Sequence, residues 1–237
     1  MDHDEEQLVA LKQWWAHYGS TIMVGIILAL LILLGWRYWN QHQISVREEA
    51  SGHYQTAINA FRELQSAPAA AVTATLRKRF TEEANILLDN YKNTPYAALS
   101  GLLLAKDALS QNNPAEAVNS LQWVIDKSAD PLLSQLARVR LARVYVMQNK
   151  PDDALALVEQ ASAKGKEYAA EFAEVKGDAL VAKNQMQEAK TSYETALTLL
   201  SEEQQQVRGL LHMKIDTLPV VQDDKTSEPK PSKGEAA

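Results

Sequence analysis

The sequence predicts an all-α chain in which one N-terminal transmembrane helix is followed by a solenoid of helical hairpins. Three observations carry this prediction. A long uncharged apolar stretch lies near the N-terminus, bracketed by aromatic residues. Beyond residue 40 the pattern is helical almost without break, rich in Ala, Leu, Glu, Gln and Lys, with no alternating Val/Ile/Thr run to mark a strand. Within that region three segments repeat one another in register.

The apolar stretch comes first. No Asp, Glu, Lys or Arg occurs between Lys12 and Arg37, and its centre runs GSTIMVGIILALLILLGW from Gly19 to Trp36. A helix rises about 1.5 Å per residue, so roughly 20 apolar residues cross a hydrocarbon core of about 30 Å. Trp14, Trp15 and Tyr18 stand on one side and Trp36, Tyr38 and Trp39 on the other. Amphipathic rings prefer the two water–lipid interfaces, and a buried core helix has no reason to carry such brackets. A cleaved signal peptide is opposed by the acidic start MDHDEEQ and by an apolar run longer than an h-region. It is also opposed by Trp36-Arg37-Tyr38-Trp39, which stands where a small-x-small cleavage site would be. The stretch is therefore read as a retained anchor. Mass spectrometry of the mature protein is expected to find an N-terminus before residue 20, and one beyond residue 36 would overturn this. Orientation does not follow from charge, since Lys12 on one side faces only Arg37 and Arg47 on the other.

Two features of this region admit two readings each. Gly25-Ile-Ile-Leu-Ala29 has the small-xxx-small spacing that lets membrane helices pack closely at Gly25 and Ala29, but Gly and Ala are common in such helices anyway. Leu8, Leu11, Trp15 and Tyr18 recur at helical spacing. Residues 5–18 form either an amphipathic helix lying in the interface or an extension of the membrane helix.

The repeats align on a small residue, Ala105, Ala142 and Gly177, spaced 37 and then 35 positions apart. A second small residue follows 12 positions later in each: Ala117, Ala154 and Ala189. Two antiparallel helices cross closely only where both contribute small side chains. The first residue is thus assigned to helix A of a hairpin and the second to helix B. A turn belongs between them, and Asn112-Asn113-Pro114, Asn149-Lys150-Pro151 and Asn184-Gln185 supply it. Pro in the first turn of a helix sacrifices no hydrogen bond. Leu121, Val158 and Tyr193 follow four positions after the helix-B alanine. The pattern is similar to the tetratricopeptide consensus, although Gly101, Arg138 and Ala173 stand where that consensus has a tryptophan. Residues 45–66 and 76–91 read as a further helix pair joined around Pro68 and Ala69-Ala70-Ala71. Residues 203–216 read as a last helix covering the open end, and the chain from Leu218 onward reads as a disordered tail. The expected organisation is a short segment over 1–18, the anchor over 19–39, the repeat domain over 40–217 and the tail over 218–237.

Composition excludes several function classes. The net charge of −6 and the lack of a basic stripe argue against a nucleic-acid partner. The absence of cysteine removes disulfides, thiolate catalysis and Cys-ligated zinc, and suits an oxidising compartment. His3, His17, His42, His53 and His212 make no HExxH and no metal-ligand pair, so no metal is expected. No GxGxxG or Walker-type loop occurs, and no catalytic constellation or cofactor site is found. Binding is the better class. Helix-A residues line the concave face of a tetratricopeptide stack. By register these are Leu99, Leu102, Lys106 and Leu109, then Leu136, Val139, Arg143, Val146 and Met147, then Glu174, Asp178 and Val181. Basic and acidic rims around such an apolar strip suit an extended or helical peptide. The competing reading buries each aliphatic residue between helices and leaves Lys106 and Arg143 as the exposed members.

The order of features resembles the bacterial YfgM family, ancillary subunits of the SecYEG translocon. The resemblance runs over residues 5–216 through EEQLVALKQWWAHYG, GWRYWNQHQ, YAALSGLLLAKDAL, LARVRLARVYVMQ, KGDALVAKNQMQEAKTSYETAL and MKI. It implies a single-pass (type II) inner-membrane protein with a cytoplasmic N-terminus and a periplasmic repeat domain. It implies as partners SecYEG, the membrane-anchored chaperone PpiD and newly translocated client chains. The implied role is non-enzymatic, a link from translocated proteins to periplasmic chaperones, with restraint of the stress regulator RcsB on the cytoplasmic side. A tetratricopeptide scaffold for another envelope complex would have the same architecture, and a degenerate enzyme is the third possibility.

Overall fold

A computed structural model describes residues 2–66, 70–162 and 167–219. Pro68 and the tail over 220–237 lie outside these described residues. Among them there is no strand. The helices are α1 (Asp2–Ser66), α2 (Ala70–Asn90), α3 (Pro95–Ser110), α4 (Pro114–Lys127), α5 (Pro131–Met147), α6 (Pro151–Ser162), α7 (Ala169–Ala182), α8 (Met186–Leu199) and α9 (Gln205–Asp216).

The 65 residues of α1 make a rod roughly 100 Å long. Its backbone runs unbroken through residues 5–18, as an extension of the membrane helix would, and through residue 40. The helix is long and apolar enough to cross a membrane: from Met23 it holds an 18-residue window of mean hydropathy 1.6, none of it buried by the rest of the chain. Beyond the apolar stretch, partial burial starts at Gln43 and the first fully buried residue is Ala50. The compositional boundary near residue 40 is therefore a change of surface chemistry and not of backbone. α2 starts at Ala70 rather than near 76, because the alanines read as a connection are strong helix formers and extend the helix instead.

The three hairpins end their first helix in one way. Asn112, Asn149 and Asn184 adopt φ of 57°, 56° and 60°, the left-handed region that asparagine tolerates best after glycine. The next residue's N–H then reaches back five positions. Asn113 N–H donates to the Ala108 carbonyl, Lys150 to Tyr145 and Gln185 to Leu180, each at 2.9 Å. Pro114 and Pro151 open the following helices. Asn113 also caps α4 reciprocally, accepting from the Glu116 N–H at 3.3 Å and donating to its carboxylate at 2.8 Å.

All six small residues at the crossings are buried, and Leu121, Val158 and Tyr193 are buried beside them. The core is a series of clusters, each shared by consecutive helices. Phe61 and Phe80 join α1 to α2, and Leu121 and Leu141 join α4 to α5. Val158 and Val175 join α6 to α7, and Tyr193 and Leu211 join α8 to α9. The first helices of the hairpins, α1, α3, α5 and α7, touch one another in sequence. Their row forms the inner wall of the stack.

Candidate protein-binding cleft

The inner wall opens into a cleft of about 420 Å³ between α3 and α5, a size typical of ligand sites. Its floor is Leu102, Ala105, Leu121 and Val144, all buried. Leu109 and Met147 flank it, and Met147 is 72% exposed. Around it stand three cations, Lys106, Arg140 and Arg143.

Of the residues read from the sequence, the cleft brings together Leu102, Lys106, Leu109, Arg143 and Met147. Leu99 is half-buried outside the lining. Leu136 packs on the core shared by α3, α4 and α5. Val139 is 1% exposed and lies within the core between α5 and α7, against which Val146 also packs. Arg140 was not among the sequence candidates. The signal for it was present: Leu136, Arg140, Arg143 and Met147 follow one helical stripe.

The third repeat differs. Glu174 and Asp178 are engaged by α9. Lys214 Nζ donates to Glu174 Oε1 at 2.8 Å and to both Asp178 oxygens at 2.7 and 2.9 Å. Arg143 donates to the other Glu174 oxygen at 3.0 Å, and the Tyr193 hydroxyl donates to Asp178 at 2.7 Å. Val181 packs on the cluster under α9. Burial pushes the Glu174 carboxyl up, but Lys214 and Arg143 outweigh it and hold the group below the usual carboxylate range. Burial likewise pulls the Lys214 ammonium down, and its bonds to Asp178 and Glu174 more than reverse this. The acidic rim expected from sequence is therefore neutralised within the chain, and the open rim is cationic. Arg140 is held below the usual guanidinium value by burial and then by Arg143, against an opposing influence from Tyr168. Among the described residues it has no acidic partner.

The network predicts a stability effect. Lys214→Met is expected to loosen α9 by about 1–3 kcal/mol, less than a fully buried ion pair would give because Lys214 is partly exposed. Faster hydrogen exchange across 205–216 would register it. The sign with pH follows from the shifts. The depressed Glu174 stabilises above the unfolded carboxylate value and loses that contribution as pH falls through its lower folded value. The raised Lys214 stabilises below its unfolded value and loses that contribution as pH rises through its higher folded one. Docking of α9 should thus hold across neutral pH and weaken at both extremes. An unchanged exchange rate in the variant would contradict the network's role.

On the anchor, Gly25 and Ala29 share one exposed helix face, and a Cβ added at Gly25 would meet nothing within 4 Å. No described part of the repeat domain covers this face.

Comparison with known proteins adds the following. Residues 12–220 match the family model of a tetratricopeptide repeat-like domain. The chain is 33% identical over 221 residues to a protein of Escherichia coli (strain K12) named ancillary SecYEG translocon subunit, covering 92% of this chain and 98% of that one. It is 32% identical over 215 residues to a protein of the same name from Haemophilus influenzae, covering 91% and 97%. A Neisseria gonorrhoeae protein, again of that name, is 28% identical over 215 residues, covering 91% and 97%. No solved structure matches this chain.

Proposed function

The chain belongs to the family of ancillary SecYEG translocon subunits, built on a tetratricopeptide repeat-like domain, and from that premise we propose that it is a non-enzymatic accessory of this translocon at the inner membrane. The supporting observation is the extent of the likeness. The family match runs over residues 12–220, through the apolar helix as well as the repeats, so it is not confined to the repeats.

In this reading the two parts do different work. The anchor places the domain beside the translocon, with Gly25 and Ala29 as the face for close helix contact. The repeat domain stands in the periplasm and passes newly translocated chains to chaperones, PpiD among them. The groove read from Leu99, Leu102, Lys106, Leu109, Leu136, Val139, Arg143, Val146 and Met147 narrows to the five that line the cleft. The short N-terminal segment, on the cytoplasmic side, is where restraint of RcsB would act.

The test is an anchor exchange. Replacing residues 19–36 with an unrelated membrane helix should sharply reduce co-purification with SecYEG in mild detergent while helical content stays intact. A native complex lacking every translocon component would instead favour a scaffold of another envelope complex. Topology is separately testable, because the chain has no cysteine. A single Lys150→Cys change on the exposed α5–α6 turn should react with a membrane-impermeant maleimide added to the periplasmic side.

A further inference from the structure

We propose that the α3–α5 cleft binds an acidic peptide segment, with its aliphatic side chains on the floor and a carboxylate on Arg140. This deepens the reading of the repeat domain as a binding module and rests on it.

Charge complementarity carries the argument. Three cations surround an apolar floor, and no acidic residue lines the cleft. Two acids beside its cations are already engaged. Asp107, next to Lys106, accepts from Arg77 Nε at 3.1 Å and from the Gln111 amide at 2.7 Å. Glu174 is shared between Arg143 and Lys214. Lys106 has no ion pair among the described residues, and its Nζ lies 5.4 Å from the centre of the Phe61 ring. Arg140 is partly buried beside Arg143, with no acidic partner among the described residues. Arg143 already has the Glu174 carboxylate as its anion, whereas the half-buried Arg140 has none, and its planar fork suits a carboxylate. Leu109 and Met147, the accessible apolar residues above the buried floor, give that anion an aliphatic neighbour. Met147 at the mouth is an unbranched side chain able to adapt to different sequences.

The test uses the full-length protein in phosphatidylcholine nanodiscs and a fluorescein-labelled eight-residue peptide of alternating leucine and glutamate. Saturable polarisation is expected, with affinity falling as salt rises. The glutamine counterpart should bind at least tenfold more weakly, and a lysine counterpart should not bind. Arg140→Gln should weaken the acidic peptide at least tenfold and Arg140→Lys less. Lys106→Gln, at an exposed position, should weaken it several-fold with the helical circular dichroism spectrum unchanged. Equal affinity for the glutamate and glutamine peptides overturns the proposal, as does indifference to both Arg140→Gln and Lys106→Gln. Binding of phosphatidylglycerol vesicles through Arg140, with none of the acidic peptide, would assign the cleft to lipid headgroups and also overturn it. No translocon component takes part in this assay. Its failure therefore leaves the translocon reading standing, and loss of translocon co-purification would leave this result standing.

Discussion

Gly177→Ala is expected to lower the melting temperature of the repeat domain, whereas the same exchange at Gly209 should raise it. Helix propensity alone favours alanine over glycine by about 0.8–1 kcal/mol in a helix interior. Gly209 lies in α9 with open space where a Cβ would stand, so that gain should be realised. At Gly177 the added Cβ would clash with three carbons of the Tyr193 ring. The ring cannot easily move aside. Its hydroxyl donates to Asp178 at 2.7 Å, and the Lys214 ammonium lies 5.5 Å from its centre. Overpacking typically costs about 1–3 kcal/mol, sometimes more. For a domain of this size that corresponds to a fall of roughly 2–10 °C. Gly101→Ala should behave like Gly177→Ala, since its Cβ would run into Val124. Thermal melts followed by far-ultraviolet circular dichroism decide the matter. Two alanines that both stabilise would show that the α7–α8 crossing has slack. Because Gly177 sits in the last hairpin, the loss should appear first at the α9 end, as neighbour-to-neighbour packing in a solenoid dictates.

That crossing also shows what local pattern can reveal. The spacing of Ala105 from Ala117, and of its two counterparts, was readable because backbone approach tolerates only small side chains at a point fixed by helix and turn length. The asparagine turns were readable for the same reason, since only a few residue types accept positive φ. The cleft was half readable: register nominated Leu102, Lys106, Leu109, Arg143 and Met147. It could not show that Val139 faces the interior. Nor could it show that Lys214, 40 positions from Glu174, neutralises the acidic end of the groove. Such a contact depends on where α9 docks, and no periodicity encodes that. The continuity of α1 was missed for another reason. The run from Arg37 to Ala50 contains neither Pro nor Gly, so nothing in it stops a helix, and the change from apolar to polar residues there marks a change of surroundings rather than an end of the helix.

That continuity changes how the anchor should act on the domain. A flexible tether raises local concentration and leaves orientation free. An unbroken helix fixes both height and rotational phase. From Trp39 to Ala50, the first fully buried residue past the apolar stretch, α1 rises roughly 16 Å. If the Gly25–Ala29 face meets the translocon, the cleft then points in one direction relative to it. Insertions of alanine after Gln41 separate the two variables. Two residues turn the domain by about 200° and lift it only about 3 Å. Seven residues return it to within about 20° and lift it about 10 Å. Site-specific crosslinks from the cleft rim, for instance at Met147, to translocon components are expected to fall at least fivefold with the two-residue insertion. The seven-residue insertion should recover them in part. A flexible Gly-Ser insert of the same seven residues should scatter them over more sites. Co-purification through the anchor should survive all three, because the membrane helix is untouched. Indifference of the crosslinks to the two-residue turn would mean that phase is not transmitted, and that α1 bends or the domain reorients at the membrane surface. A loss with every insertion would mean instead that height governs the contact.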